Sequence, residues 1–218
     1  SLFDLQSDSM EFNDLANDPN MKEVLTQLRS VHDQWMKKVL DVGLIPEAIM
    51  RNWEDKNDQS IYKWIRTQED FYDDLLLMSS TADENILFEG LNHDNEAVRY
   101  WAGQGLYNID KKIGINTADR LKQKLDDSVI NISISAARAL LKHEFSSKKL
   151  EEILSLGLEA ENEWTRLQTA LVLDDFQSVL RGLENQAQNQ INTDPNKYVV
   201  RVLNHGLNLL NGTSNKVR

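Results

Sequence analysis

Residues Leu91–Leu106 read LNHDNEAVRYWAGQGL, and the same layout returns twice further along the chain. Equivalent leucines stand at Leu125 and Leu158, at offsets of 34 residues (125 − 91) and 33 residues (158 − 125). Each copy has a polar turn followed by apolar and small residues at the spacing of one helix face. Self-similarity at this period is typical of helical repeat arrays. The repeat therefore predicts an all-α protein built from stacked helical hairpins.

Each copy is interpreted as two short helices joined by a turn. Such a hairpin cannot bury both of its apolar faces alone, so neighbouring hairpins must share one core. An irregular helical bundle with chance periodicity is the alternative, and three copies in register favour the repeat. The predicted turns are 93–96, 126–131 and 159–163, and the small residues that permit close helix contact are Ala102, Gly105, Ala136 and Ala139.

An arginine recurs in these copies, in Val98-Arg99 and Thr165-Arg166, and Val200-Arg201 marks a looser fourth copy. The spacing and this arginine resemble HEAT repeats, a family of stacked helical hairpins. The resemblance implies a HEAT-like stack, a right-handed α-α superhelix, over residues 81–213. It also implies that Arg99, Arg166 and Arg201 form hydrogen bonds near the turns. A structural role is therefore favoured over a ligand-binding role for these three residues.

The chain upstream of the repeats also has helical patterning. A helix is predicted from Asn20 to Asp41, with Asp18 as N-cap, Pro19 in the first position and Gly43 as the left-handed stop. Residues 46–60 are polar, with Met50 and Trp53 as anchors, and 61–78 is an amphipathic segment of one helix or two. The apolar stripe of the first helix consists of Met21, Val24, Leu25, Leu28, Val31, Trp35, Met36, Val39 and Leu40.

Composition argues against several classes of partner and site. The 218 residues include 24 Lys+Arg against 35 Asp+Glu, a net charge of −11. Nucleic acids and anionic membranes are bound through clustered cations, so we expect neither as a partner. Cysteine is absent, which excludes disulfides, thiolate metal sites and a cysteine nucleophile. No apolar run of about 18 residues predicts a membrane span, and residues 1–18 do not have the pattern of a signal peptide.

The titratable residues do not predict a catalytic or metal site. Asp55–Asp58 resembles the start of a calcium loop, but Ser60 and Arg66 stand where an EF-hand needs glycine and glutamate. Gly103 and Gly105 lie inside an apolar-periodic helix, unlike a phosphate-binding loop. The histidines fall in four different predicted units, and adjacent acidic residues on a helix do not face each other. These residues are His32, His93, His143 and His205, and the pairs Asp73-Asp74, Asp126-Asp127 and Asp174-Asp175.

The aromatic residues leave one binding hypothesis open. Exposed rings would suit a sugar-binding platform, whereas buried rings would serve the repeat core, and the core interpretation is favoured. Asn131-Ile-Ser133 and Asn211-Gly-Thr213 match the glycosylation acceptor pattern. The rings in or near the second helices are Tyr100, Trp101, Tyr107, Trp164 and Tyr198.

The front of the chain, LFDLQSDSMEFNDLA at Leu2–Ala16, departs from the helical pattern. It resembles the C-terminal end of the sulfatase family, where a strand and loop of the form LYDLxxDPxExxNLA precede a long helix ending near a Trp. Leu2–Leu5 stands for LYDL, Ser7–Ser9 for the xDP step with Ser9 in place of proline, and Glu11 for the acidic position. Asn13–Ala16 stands for NLA, with Asp14 inserted after the asparagine. Trp35 fits the helix end.

The resemblance continues into the rest of the chain. Gly43–Glu47 is similar to the linker of bacterial sulfatases that carry an appended HEAT-like tail, and residues 97–102, 163–170 and 197–202 resemble recurrent segments of such tails. The implied domains are 1–45, the last strand, loop and helix of the sulfatase domain; 46–80, a helical linker; and 81–213, the repeats.

What the resemblance implies about chemistry concerns a larger parent protein. Sulfatases use calcium and a formylglycine made from Cys or Ser in a C/S-x-P-x-R motif. No such motif occurs here, because Asn17, Leu44 and Thr193 stand two residues before the three prolines. No catalytic, cofactor-binding or metal residue is assigned to this chain, and calcium and formylglycine are expected only in the parent. The implied role is a non-catalytic C-terminal piece of a sulfuric ester hydrolase that acts on sulfated glycans or related sulfate esters.

The resemblance also implies a periplasmic or secreted protein whose partner is the catalytic domain of the same parent chain, with homo-oligomerisation as a further option. The alternative is a stand-alone HEAT-type interaction scaffold without an enzymatic link. A third option, a glycan-binding module, is disfavoured by the charge of −11, because sulfated glycans are polyanions.

Overall fold

The computed structural model describes residues 1–68 and 71–213, and within these ranges the regular structure is helical. The all-α prediction is confirmed. Single 3-10 turns occur at Pro19–Met21, Val42–Leu44, Ile65–Thr67 and Arg181–Leu183. The α-helices are α1 (Lys22–Val39), α2 (Glu47–Asn57), α3 (Ile61–Trp64), α4 (Tyr72–Ser80), α5 (Glu84–Gly90), α6 (Glu96–Asn108), α7 (Ile115–Lys124), α8 (Ile130–Lys142), α9 (Lys148–Leu158), α10 (Glu163–Asp175), α11 (Gln177–Leu180), α12 (Glu184–Thr193) and α13 (Lys197–Leu210).

The chain forms two compact units, Ser1–Val42 and Gly43–Arg218. The first unit contains the N-terminal loop and α1, and the second contains the helical stack. The limits 1–45, 46–80 and 81–213 stay predictions. Among the described residues, no helix is both long and apolar enough to cross a membrane.

The short strand expected at Leu2–Leu5 does not form. Within the described residues no neighbouring strand is present to pair with it, so these residues close a loop instead. The Leu2 N–H donates to the Asp14 carboxylate at 2.8 Å, and Leu15 N–H donates to Leu2 O at 2.7 Å. Hydrogen bonds from the N–H groups of Leu2 and Ala16 lower the pKa of Asp14.

Helix α1 begins as predicted and ends earlier than predicted. The Asp18 side chain accepts a hydrogen bond from Asn20 N–H at 2.9 Å, and Pro19 opens the first turn. At the other end Leu40, not Gly43, takes the left-handed conformation, with φ 51°. Asp41 N–H then donates to Met36 O at 3.1 Å. This bond closes the helix end before the chain reaches Gly43, so the predicted stop was wrong.

The predicted repeats form four helical hairpins, with their turns at the predicted places. Hairpin 1 is α5–α6, hairpin 2 is α7–α8, hairpin 3 is α9–α10, and hairpin 4 combines α11 and α12 with α13. The second helices α6, α8, α10 and α13 pack against one another in that order. Their inward faces share one core, as a stack of hairpins requires.

Small residues allow the close approach of these helices. Ala102, Ala136 and Ala139 are almost fully buried. A Cβ added to Gly105 would lie 2.3 Å from Leu87 Cδ2, and one added to Gly103 would lie 2.5 Å from Ser135 Oγ. A larger residue at either glycine would therefore force its neighbour to move.

Two arginines, Arg99 and Arg166, each link the turn of their own hairpin to the next hairpin. Arg99 Nη1 donates to His93 O and Asp94 O, both at 2.8 Å, while its Nε and Nη2 donate to the Asp127 carboxylate at 3.0 and 3.1 Å. Arg166 repeats this arrangement. Its Nη1 donates to the carbonyls of residues 160 and 161 at 2.8 Å, and its Nε and Nη2 bind the Asp194 carboxylate at 2.6 and 3.0 Å. The structural role predicted for both arginines is confirmed.

Arg201 was wrongly aligned with these residues. Arg99 and Arg166 stand four positions after the N-cap asparagines Asn95 and Asn162, whereas Arg201 stands five after the N-cap Asn196. One residue is a turn of about 100° around a helix. Arg201 is accordingly exposed, with its guanidinium 5.9 Å from the Tyr198 ring centre.

Hairpin 2 has no arginine at this position, because Ser133 occupies it, four residues after the N-cap Val129. The junction between hairpins 2 and 3 combines a neutral hydrogen-bond network around Asn131 with two ion pairs, Asp126–Lys149 and Arg138–Asp175. Asn131 Nδ2 donates to Thr165 Oγ1 at 3.1 Å and to Gln168 Oε1 at 2.7 Å.

The polar segment 46–60 is an integral part of the stack. Ile45, Ala48, Ile49 and Trp53 are buried, so the Trp53 anchor is confirmed, whereas Met50 is only half-buried. Within the second unit, α2 packs on α10, and Trp53 Nε1 donates to a carboxylate in the first turn of α6 at 2.5 Å. The amphipathic segment 61–78 contains two helices, α3 and α4, instead of one.

We expect Arg166→Ala to lower the free energy of unfolding by about 3–5 kcal/mol. The substitution leaves the Asp194 carboxylate, whose side chain is 0% exposed, buried without its counter-charge. Urea denaturation of the 218-residue chain measures the change. Arg201→Ala is the matched control and should shift stability by less than about 0.5 kcal/mol, because Arg201 is exposed. Equal losses for the two variants would contradict the assigned role.

The Asp194 carboxylate also makes stability depend on pH. Burial acts to raise its pKa, but hydrogen bonds from Arg166 and Asn196 N–H and the Arg166 charge outweigh burial, and the pKa lies below its usual value. The resulting stabilisation is present above the unfolded-state pKa of about 3.9 and is lost as pH falls through the lower folded-state pKa. The stability difference between the wild type and Asp194→Asn should therefore shrink as the pH is lowered below about 4. Urea midpoints between pH 6 and pH 3 test this, and a constant difference would refute it.

Candidate docking surface

Helix α1 presents an apolar face to solvent. Its members are spaced by four, three, four and four residues, which places them on one side of the helix. They are exposed by 40–64%, and Met36 is the buried residue of this helix. We call this set the α1 stripe: Val24, Leu28, Val31, Trp35 and Val39.

The loop before α1 adds further exposed apolar side chains to the same unit. Leu5 is 61% exposed, Met10 69% and Phe12 85%. An exposed apolar helix face such as the α1 stripe usually marks an interaction site. Burial of a Val, Leu or Phe side chain contributes about 1.5–3 kcal/mol, so covering the stripe would supply substantial binding free energy.

The stripe was predicted as an apolar face, but its exposure was not. Periodicity identifies the apolar side of a helix and does not identify what covers it. The exposure of this predicted apolar face makes it a candidate docking surface.

The four histidines lie apart, each with a local partner. His143 is buried against Leu106 O at 2.9 Å, and His205 Nδ1 lies 2.6 Å from Asp174 Oδ1. His93 Nε2 lies 3.2 Å from Asp74 Oδ2, and His32 Nδ1 lies 3.5 Å from the carboxylate of the next residue. The structure does not bring the histidines together.

The adjacent acidic residues bind different partners. Asp127 holds Arg99, whereas Asp126 pairs with Lys149 at 2.6 Å. In the pair at 174–175, one carboxylate meets His205 and the other meets Arg138. Across residues 1–68 and 71–213 no three His, Asp or Glu residues are arranged to hold a metal ion. The described residues do not fit the calcium ion of the sulfatase resemblance, and no chemistry is derived through it.

A polar cluster crosses three second helices. Arg138 Nε and Nη2 donate to Asp175 Oδ2 at 3.1 and 2.5 Å, and the guanidinium lies 4.1 Å from the Tyr107 ring centre. The Tyr107 hydroxyl also reaches Asp175, at 3.3 Å. Because Asp175 neutralises the arginine, this cluster links α6, α8 and α10 and is a poor binding site for anions.

The five candidate aromatic rings do not belong to the fully buried core. Tyr198 is 60% exposed, and the other four rings are half-buried. The core interpretation favoured by the sequence is therefore wrong for Tyr198. Partial burial still has consequences, since desolvation raises the pKa of the Tyr100 hydroxyl.

The structure separates the two glycosylation patterns. Asn131 is fully buried and hydrogen-bonded to hairpin 3, so it cannot accept a glycan in the folded chain. Asn211 is exposed in the turn after α13.

Comparison with known proteins relates part of the chain to a sulfatase. An ulvan-active sulfatase from Formosa agariphila is 36% identical over 62 residues, which is 28% of this chain and 10% of that protein. The chain thus matches only a small part of this longer relative. No protein-family model and no solved structure matches the chain.

We expect the double substitution Leu28→Lys and Trp35→Lys to leave the stack intact while removing the docking surface. Both side chains are more than half exposed, so thermal unfolding of the Gly43–Arg218 unit should be unchanged, while binding of the apolar dye ANS should fall. Ile49→Ala is the contrasting control. Ile49 is fully buried, so its truncation should lower the free energy of unfolding by about 2–5 kcal/mol. Unchanged dye binding in the double variant would show that the α1 stripe is not the exposed apolar surface.

Proposed function

We propose that this chain is the non-catalytic C-terminal part of a sulfatase-like sulfuric ester hydrolase, attached to its catalytic domain through the first unit. The α1 stripe is the observation that carries this proposal. The sulfatase-like pattern of residues 2–16 and the partial likeness to an ulvan-active sulfatase support it.

The occupant of the α1 stripe is an apolar surface of the upstream catalytic domain. The stripe offers Val, Leu and Trp side chains, so its partner must be apolar too. The relative is about ten times longer than the matched segment, which leaves room for a catalytic domain in a protein of that kind. An upstream domain on the same polypeptide would have a high effective concentration and would need only modest intrinsic affinity.

The helical stack acts as a brace on this attachment. The turns of hairpins 1 and 3 are fixed by largely buried ion pairs, and α2 is packed into the stack, so the Gly43–Arg218 unit is a stiff body in itself. The proposal includes a periplasmic or secreted location, sulfated glycans or related sulfate esters as substrates, and formylglycine and calcium in the catalytic domain.

The full-length protein provides the test. The coding sequence upstream of Ser1 should contain a C/S-x-P-x-R motif, and the full-length enzyme should release sulfate from ulvan oligosaccharides. In that enzyme, Leu28→Lys with Trp35→Lys should reduce sulfate release at least tenfold and lower the melting temperature, because the catalytic domain loses its support. Arg201→Ala, an exposed change in the stack, should have no effect.

Two outcomes would overturn the proposal. One is an upstream sequence without the motif. The other is turnover of an aryl sulfate by the pure 218-residue chain, which would place the catalytic residues within it.

A further inference from the structure

A small cleft opens where the end of α4 and the following turn meet α6. Its volume is about 220 Å³. Ser80 and Thr81 form one side, and Trp101, Gly105 and Asn108 form the other. All of these residues belong to the Gly43–Arg218 unit. We call this the Trp101 cleft.

The Trp101 ring is fixed before any ligand arrives. Its indole N–H donates to Leu44 O at 2.6 Å, and the ring stands edge-to-face with Tyr100, with 5.8 Å between ring centres. Trp101 is only half-buried, so part of its surface remains open to the cleft. A ring held in place loses little conformational entropy on binding.

The polar groups of the cleft retain free hydrogen-bonding capacity. Ser80 Oγ donates to Leu76 O and keeps its lone pairs, while Thr81 Oγ1 accepts from Asp83 N–H and keeps its proton. The Asn108 side chain makes no hydrogen bond within the described parts of the chain, which leaves two donors and one acceptor. The lining residues carry no charge.

We propose that the Trp101 cleft binds one uncharged sugar ring of a polysaccharide. A sugar ring has an apolar face of C–H groups, which suits the Trp101 surface, and a rim of hydroxyls that donate and accept, which suits Ser80, Thr81 and Asn108. The cleft is smaller than the roughly 300–1,000 Å³ of pockets that enclose drug-sized ligands, and it fits a single ring of a longer chain.

The proposal is consistent with the net charge of −11. A sulfate or phosphate group would need a cation or a set of N–H donors, and the lining residues supply no cation. The Trp101 cleft therefore favours an uncharged sugar ring, and the charged substituents of the polysaccharide remain outside the cleft. It does not depend on the sulfatase assignment, because a stand-alone stack would bind the same ring.

The test is an NMR titration of the 218-residue chain with ulvan oligosaccharides, before and after chemical desulfation. We expect the indole N–H of Trp101 and the side-chain amide of Asn108 to shift with both probes, with a dissociation constant in the millimolar range. Raising the salt concentration should not weaken the binding, because no ion pair forms.

Variants assign the shifts to the cleft. Asn108→Ala removes only free hydrogen-bonding groups and should weaken binding about fivefold without loss of stability. Ala82→Trp, at the exposed rim, should fill the opening and abolish binding. Tyr198→Ala, at the exposed ring on α13, is the control and should bind as the wild type does. These variants leave the Trp101–Leu44 contact in place, so a folding defect does not obscure the result.

Three outcomes would overturn the proposal: no shift at Trp101 or Asn108 with either probe, binding that requires sulfate and vanishes in salt, or equal binding by Ala82→Trp and the wild type. None of these three outcomes would by itself contradict the proposed sulfatase function. The sulfatase assignment is tested by sulfate release in the full-length enzyme, which this titration does not measure.

Discussion

The stack depends on a buried guanidinium held at each of two hairpin turns. A charge removed from water must be paired and hydrogen-bonded, and Arg99 and Arg166 satisfy this with two turn carbonyls and one carboxylate each. The carbonyls belong to the arginine's own hairpin and the carboxylate belongs to the next hairpin. One side chain therefore fixes the local turn and the offset between neighbours together, which apolar packing alone would leave free to slide.

The junctions between the hairpins all contain ion pairs, but they differ at the turns. Hairpins 1 and 2 are joined through Asp127, and hairpins 3 and 4 through Asp194. Hairpins 2 and 3 meet through the amide and hydroxyl partners of Asn131 and through two more exposed ion pairs, Asp126–Lys149 and Arg138–Asp175. Helix α2 reinforces the assembly by packing on α10 and reaching the first turn of α6.

The repeat period of the sequence predicted the all-α fold. The predictions that were wrong have identifiable physical causes. Arg201 was misaligned because the Val-Arg dipeptide served as the marker, whereas the helix phase is set by the capping asparagines Asn95, Asn162 and Asn196. These asparagines were visible in the sequence and would have placed Val200 at the arginine position. The burial of Ala48 and Ile49 in α2 was not predicted, because these side chains stand among many charged residues and only tertiary packing reveals their burial. The Trp101 cleft depends on distances between segments that no local pattern encodes.

The distribution of charge and apolar surface separates two tasks within this chain. The chain has a net charge of −11 and therefore repels a polyanion at long range, so it is poorly suited to capture sulfate groups. Contact with a sulfated polysaccharide would instead have to use uncharged groups, and the Trp101 cleft supplies these. The α1 stripe is different in kind, because a continuous apolar face has no use for a hydroxyl-rich ligand and gains free energy only by being covered with another apolar surface. The two surfaces therefore suit different partners, an apolar protein surface for the α1 stripe and an uncharged sugar ring for the Trp101 cleft.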